Sequence, residues 1–273
     1  MRRLLWALVV LLCAAEVSAQ QEAGLTSLVT GDDSRGWEAV GRLNIGRTGF
    51  CTGALIAPDV VITAAHCLYD QDSGGVVAAD EIEFLAGWRN GRATAYRGVR
   101  QAIPHPDYQF GDTRGPESVD HDLAILRLDS PIRKTGVVPY ATAERPRKGD
   151  PVGVVSYAHN RAERPSLEKA CHVLARPSDS LVLSCSVDFG SSGAPIFVLD
   201  GETPRIVSVV SAKAQVGGRP VSLGSGLERP LADLRALLEA NDGIFAPAEA
   251  RPQVRRMTIE EVPTGGGAKF LRP

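Results

Sequence analysis

Short apolar runs alternate along the chain with clusters of glycine, proline, aspartate and serine. Runs of four to seven residues occur at 39–45, 53–56, 60–63, 81–86, 123–128, 152–156, 181–187, 195–198 and 206–210. Any one of them could be a buried helix segment, since a short apolar run has no diagnostic period. Their number and even spacing point instead to strands of an antiparallel sandwich or barrel. The stretches 70–75, 104–116 and 177–180 are rich in turn residues and separate the runs.

One segment reads as a helix. Pro230 suits a first turn, where a missing amide costs nothing, and Leu231, Leu234, Leu237 and Leu238 recur at helical spacing. Asn241, Asp242 and Gly243 end it. From 244 to 273 the chain is polar, with scattered prolines and a triple glycine, so it is expected to form a flexible tail. The opening residues differ again. Arg2 and Arg3 precede an apolar run from Leu4 to Ala15, and Val17, Ser18 and Ala19 supply small residues for cleavage. That run is shorter than the roughly 20 residues a membrane span needs. Residues 1–19 are therefore read as an export signal, 20–36 as a candidate propeptide and 37–243 as the folded domain.

Charge and cysteine content narrow the classes. A formal net charge of −2 gives no electrostatic reason to expect nucleic acid or an anionic membrane as partner. No long apolar run follows residue 19, so no integral membrane segment is expected. Without Cys13, which leaves with the signal, Cys51, Cys67, Cys171 and Cys185 remain. An even number in an exported chain suggests two disulfides, with three pairings open. None of these cysteines has C-x-x-C spacing, so neither a metal nor another cofactor is expected. The compartment implied is secreted or periplasmic.

Three segments carry candidate chemistry. In Val60–Cys67 a β-branched run leads through two alanines to His66. In Asp120–Leu128 a carboxylate, Asp122, adjoins an apolar run directly, with Asp120 as the rival position. Burying it is costly unless something pairs with it, and a histidine that becomes charged is a fitting partner. In Asp188–Pro195, small residues flank Ser192 on both sides. They let a carbonyl approach closely and let amides converge on an oxyanion, where one donor is worth roughly 3–4 kcal/mol of barrier.

Together these segments resemble the chymotrypsin-like, trypsin-fold serine peptidases, closest in look to exported bacterial members. TAAHC, DLAIL and GSSGAP match that family's histidine, aspartate and nucleophile motifs, in its chain order. The likeness runs from Trp37 to about Ala240. It implies two packed antiparallel six-stranded β-barrels with a C-terminal helix. It implies a serine endopeptidase acting on polypeptide substrates with a triad of His66, Asp122 and Ser192, and an oxyanion hole from the Gly190 and Ser192 amides. The segment Phe50–Ile56 matches the strand before the histidine, whose cysteine bridges to the one after it, so the resemblance pairs Cys51 with Cys67. The second pair follows from local geometry. Cys171 and Cys185 lie seven residues on either side of Ser178, so a hairpin centred there would set them face to face.

The departures matter too. Digestive members carry an aspartate before the nucleophile that pairs with a freed amino terminus; here Ser191 stands there, so local hydrogen bonds are expected to hold the Gly190–Ser192 turn. Asp188 is the nearest carboxylate that could substitute. Six residues before the nucleophile, where trypsins place a pocket aspartate, is Ser186. A specificity pocket is expected from Ser186, Ser211 and Lys213, with Lys213 favouring an acidic side chain. Asp70, Asp72, Asp80 and Glu81 resemble a calcium loop but read more simply as a solvated acidic loop. The competing function is a catalytically inactive binding protein on the same scaffold. An esterase of the α/β-hydrolase type would need the order Ser, Asp, His.

Overall fold

The computed structural model describes residues 24–46, 49–111, 117–201 and 203–242. The signal read at 1–19, the tail at 244–273, the start of the 20–36 segment and part of the 104–116 turn stretch lie outside them. Thirteen strands, two α-helices and three short 3-10 turns make up the described chain.

Strands β1 (Leu25–Ser27) to β7 (Ala124–Leu128) include β2 (Val40–Ile45), β3 (Gly49–Ala57), β4 (Val60–Thr63), β5 (Ile82–Ala86) and β6 (Ala95–Pro104). The order β2-β3-β4-β7-β6-β5 closes into a barrel. The second half holds β8 (Pro151–Ser156), β9 (Ser166–Ala175), β10 (Leu181–Leu183), β11 (Pro195–Val198), β12 (Arg205–Val216) and β13 (Arg219–Gly224). These run β9-β10-β13-β12-β11-β8, and pairing of β9 with β8 closes the ring. The two six-stranded antiparallel barrels match the expected fold class. Closure leaves the strands of each ring paired on both sides.

Strand β1 adds to the outer side of β9, with Leu25 opposite Glu168 and Ser27 opposite Ser166. Leu28, just after it, is buried. The described fold therefore reaches back past Trp37, the start read from the sequence. Trp37 itself sits at the seam between the barrels. Its ring meets Phe197 of β11 edge-on at 5.2 Å, and Tyr140 meets the same ring at 4.8 Å.

The hairpin from β9 to β10 turns at Ser178, whose φ of 43° places it in the left-handed region. Leu183 pairs with Val173, so Cys185 falls opposite Cys171 and the two are bonded, as are Cys51 and Cys67. Helix α2 (Glu228–Asp242) leaves the second barrel and packs on β6 and β7 of the first. Leu231, Leu234 and Leu238 are buried beneath it, whereas Leu237 is exposed. The sequence pattern assigned Leu237 to the apolar face, but three leucines already span the contact with the barrel. Leu234 is 0% exposed, so Leu234→Ala should destabilise the fold by about 2–5 kcal/mol, as large-to-small core changes do. Leu237→Ala should change stability by less than about 0.5 kcal/mol. Denaturant melts of both variants measure the difference.

Candidate functional site

His66 and Asp122 come from the first barrel and Ser192 from the second. His66 sits in the 3-10 turn Ala65–Leu68 that follows β4, anchored by Cys67 to Cys51 on β3. Asp122 lies in the short link between α1 (Glu117–Asp120) and β7. Ser192 is in the turn that leads into β11.

The Asp122 side chain is 4% exposed. Its Oδ2 lies 2.7 Å from His66 Nδ1, and its Oδ1 accepts the His66 backbone amide at 2.9 Å. Ser211 Oγ donates a short hydrogen bond to Oδ2 as well. Ser225 Oγ donates to the Asp122 carbonyl at 2.7 Å. A buried carboxylate is tolerated when donors surround it in this way. Asp120, the rival position, is buried too, but among the described residues its Oδ1 has no partner and it makes no bond to His66. The sequence placed Ser211 in a pocket wall. It does line the cavity, but its hydroxyl is committed to Asp122. A lone serine on an apolar strand gives no signal of that role.

His66 and Ser192 line one cavity of about 780 Å³ at the junction of the barrels. Burial disfavours the charged imidazolium of His66, but the charge and hydrogen bond of Asp122 outweigh it and hold the pKa above 6.5. With Nδ1 donating to Asp122, Nε2 is left as the acceptor. Ser192 Oγ makes no hydrogen bond among the described residues. Such contacts are often long without substrate and tighten when it binds.

The turn around Ser192 leaves two donors free. Neither the Gly190 nor the Ser192 amide has an acceptor among the described residues, whereas Ser191 N bonds to Asp188 O at 2.9 Å. Glycine is needed at two positions here. Gly190 has φ of 93° and Gly193 of 74°, and a Cβ on Gly193 would lie 2.0 Å from Thr63 Oγ1. Thr52, on β3, reaches across from the first barrel. Its amide donates to Ser192 O and its hydroxyl to Gly190 O, both at 2.8 Å. That hydroxyl also accepts Tyr157 N at 3.1 Å.

The three expected pocket residues separate. Ser211 and Lys213 line the large cavity. Ser186 does not. It lines a smaller cavity of about 110 Å³, where its amide donates to Glu168 Oε2 at 2.9 Å. One residue further along, Val187 lines both cavities, so the segment after β10 passes between them. Lys213 Nζ stands 4.0 Å from Asp188 Oδ1, and both groups are exposed. Asp70, in the acidic loop, bonds its Oδ1 to Ser73 N and Oγ, and Asp72, Asp80 and Glu81 are all exposed. Two other clusters hold metal-type ligands. In one, Cys51 and Cys67 are spent on each other. In the other, His105 Nδ1 accepts the Asp107 amide at 3.2 Å. Its neutral ring then presents a proton on Nε2, not a lone pair.

Comparison with known proteins gives one family model, Trypsin, matching residues 29–222. The glutamyl endopeptidase of Bacillus licheniformis is 26% identical over 153 residues, 55% of this chain and 45% of that protein. A trypsin of Simulium vittatum is 30% identical over 129 residues, 45% of this chain and 47% of that one. The chain thus spans less than half the length of the curated relatives it matches. Among solved structures, a Glu endopeptidase in complex with MPD has a TM-score of 0.66 at 18% identity. It aligns with 80% of this chain and 97% of its own. A thermostable serine protease, AL20, has a TM-score of 0.59 at 19% identity, over 74% of this chain and 97% of its own.

The electrostatics of the pair can be read directly. An NMR titration should find His66 with a pKa above 6.5, and Asp122→Asn should move it down toward or below that value. An unchanged His66 pKa in the variant would show that Asp122 does not set it.

Proposed function

The chain belongs to the trypsin family, and from that premise we propose that it is an exported serine endopeptidase. It hydrolyses peptide bonds through an acyl-enzyme on Ser192. The observation that carries this reading is the pairing of His66 with buried Asp122 on the wall of the cavity it shares with Ser192. A serine hydroxyl is a poor nucleophile at neutral pH and needs a base. His66 Nε2 takes the Ser192 proton as Oγ attacks the scissile carbonyl. The charge that develops on the carbonyl oxygen is met by the free amides of Gly190 and Ser192. His66 then gives its proton to the leaving amine, and a water repeats the sequence to release the acyl group. Asp122 fixes the imidazole tautomer and stabilises the imidazolium throughout. The two disulfides support the export reading, because such bonds persist in oxidising compartments.

Side-chain preference follows from the cavity wall. Among the described lining residues Lys213 is the one Lys or Arg, beside the carboxylates of Asp70, Asp72 and Asp188, and two of the relatives are named for glutamate. An acidic side chain before the scissile bond is therefore preferred, and Lys213 supplies the attraction.

The tests are direct. The full chain, incubated with a diverse peptide library, should cleave it and should take up a fluorophosphonate probe at Ser192. Ser192→Ala should abolish labelling and lower turnover on the order of 10⁴-fold or more, with the fold intact. An intact wild-type protein that neither cleaves nor labels would favour the binding-protein alternative. Lys213→Glu should lower kcat/KM for acidic peptides by about fivefold, the scale of one exposed charge interaction. Cleavage sites read by mass spectrometry from the two proteins decide that point.

A further inference from the structure

Ser191 stands just before the nucleophile and is fully buried. A buried hydroxyl has one proton to give and two lone pairs to satisfy. It donates to Tyr157 O at 3.1 Å, and around it lie Ser156 Oγ at 3.4 Å and the Asp188 amide at 3.4 Å. The remaining neighbour is a cation. Arg161 Nη2 lies 3.3 Å from Ser191 Oγ and 2.9 Å from Ser156 Oγ, and Nη1 donates to the Ser156 carbonyl.

Arg161 belongs to the 3-10 turn His159–Arg161 that follows β8, thirty residues before Ser191. It is partly buried, facing the small cavity, where Glu168 and Asp188 supply opposite charge. Its planar fork reaches two separate elements at once: the end of β8 through Ser156, and the nucleophile turn through Ser191. A lysine, a point charge with one nitrogen, has no such fork.

We infer that Arg161 is a positioning residue for the nucleophile turn: an internal guanidinium that ties Ser191 to the end of β8 and so keeps the Gly190 and Ser192 amides turned toward the cavity. The inference rests on the peptidase reading for its kinetic consequence, and on the hydrogen bonds alone for its structural one.

The experiment compares wild type, Arg161→Ala and Arg161→Lys for melting temperature, kcat, KM and amide hydrogen exchange. In the alanine variant kcat should fall about tenfold to a hundredfold, part of the roughly 10²–10³ that an oxyanion donor is worth, with KM within about twofold. The lysine variant should fall between the two. Added guanidinium chloride, far below denaturing concentrations, should restore part of the lost kcat in the alanine variant and none in wild type. Exchange should rise in peptides covering 188–193 and stay unchanged in those covering β2 to β5. Unchanged kcat with unchanged exchange overturns the inference. So does a loss of kcat, KM and melting temperature together, without rescue, because that marks only a packing role. If wild type has no activity but exchange rises locally in the variant, the positioning role stands and the peptidase reading falls.

Discussion

Burial of the Asp122 carboxylate is the constraint around which the junction of the barrels is arranged. An ion removed from water is tolerated only if its lone pairs meet donors, and here the His66 ring, the His66 amide and Ser211 all converge on it. Each donor comes from a different requirement of the fold. The His66 amide is placed by the 3-10 turn after β4, and that turn is tied down by the Cys51–Cys67 bond. Ser211 is placed by β12, a strand of the other barrel. Satisfying one carboxylate therefore fixes the histidine in one tautomer and helps hold the two barrels in one register.

The second barrel faces a different problem. Its turn around Ser192 leaves two amides without acceptors among the described residues, although unpaired backbone donors in a folded interior are unfavourable. The rest of the turn is bonded heavily enough to offset that. Ser191 N, Ser191 Oγ, the Gly190 carbonyl and the Ser192 carbonyl all have partners, and only the donors that face the cavity do not. A site open to solvent or substrate can fill those positions, so the unfavourable state is confined to where it is useful.

Much of this was legible in the sequence, for reasons that can be named. β4, β7, β8 and β11 are buried nearly throughout, and such strands appear as unbroken apolar runs. Four strands escaped notice: β1 is only three residues long and mostly exposed, and the other three are mixed. β6 carries Arg97 and Arg100 on a largely half-exposed face. β9 buries Glu168 and exposes Lys169, so its charges hide the pattern. β13 opens on Arg219 and Pro220. His66, Asp122 and Ser192 stood out because each sits against small or apolar neighbours whose packing demands are local. Thr52 and Arg161 did not, and Ser211 stood out only as a pocket residue, because what each does depends on a strand or turn brought close only by tertiary folding. The placement of Ser186 failed for a related reason. Counting residues back from Ser192 gives a position along the chain, but not which of two adjoining cavities that residue faces.

Thr52 and Arg161 approach the same turn from opposite sides, and their chemistry differs accordingly. Thr52 reaches it from the first barrel through neutral bonds to the two carbonyls at positions 190 and 192. The amides paired with those carbonyls in their peptide units, Ser191 N and Gly193 N, bond to Asp188 O and Val210 O, whereas the Gly190 and Ser192 amides share their units with the Phe189 and Ser191 carbonyls, which accept His159 N at 2.7 Å and Ala194 N at 3.0 Å. Arg161 reaches it from the second barrel through the buried Ser191 hydroxyl. Neutral bonds at 2.8 Å set direction, whereas the 3.3 Å contact from a charged fork acts over a longer range and is strengthened by the low-polarity surroundings. The threonine adds a tie between the barrels at the turn, and the arginine adds a charged tie to β8 beside the direct bonds of Ser191 Oγ to Tyr157 O and Ser156 Oγ. Since His66 rides on the first barrel and Ser192 on the second, the distance between the two side chains is a distance between barrels. The neutral clamp sets that separation. The charged one sets the orientation of the turn once the separation is fixed.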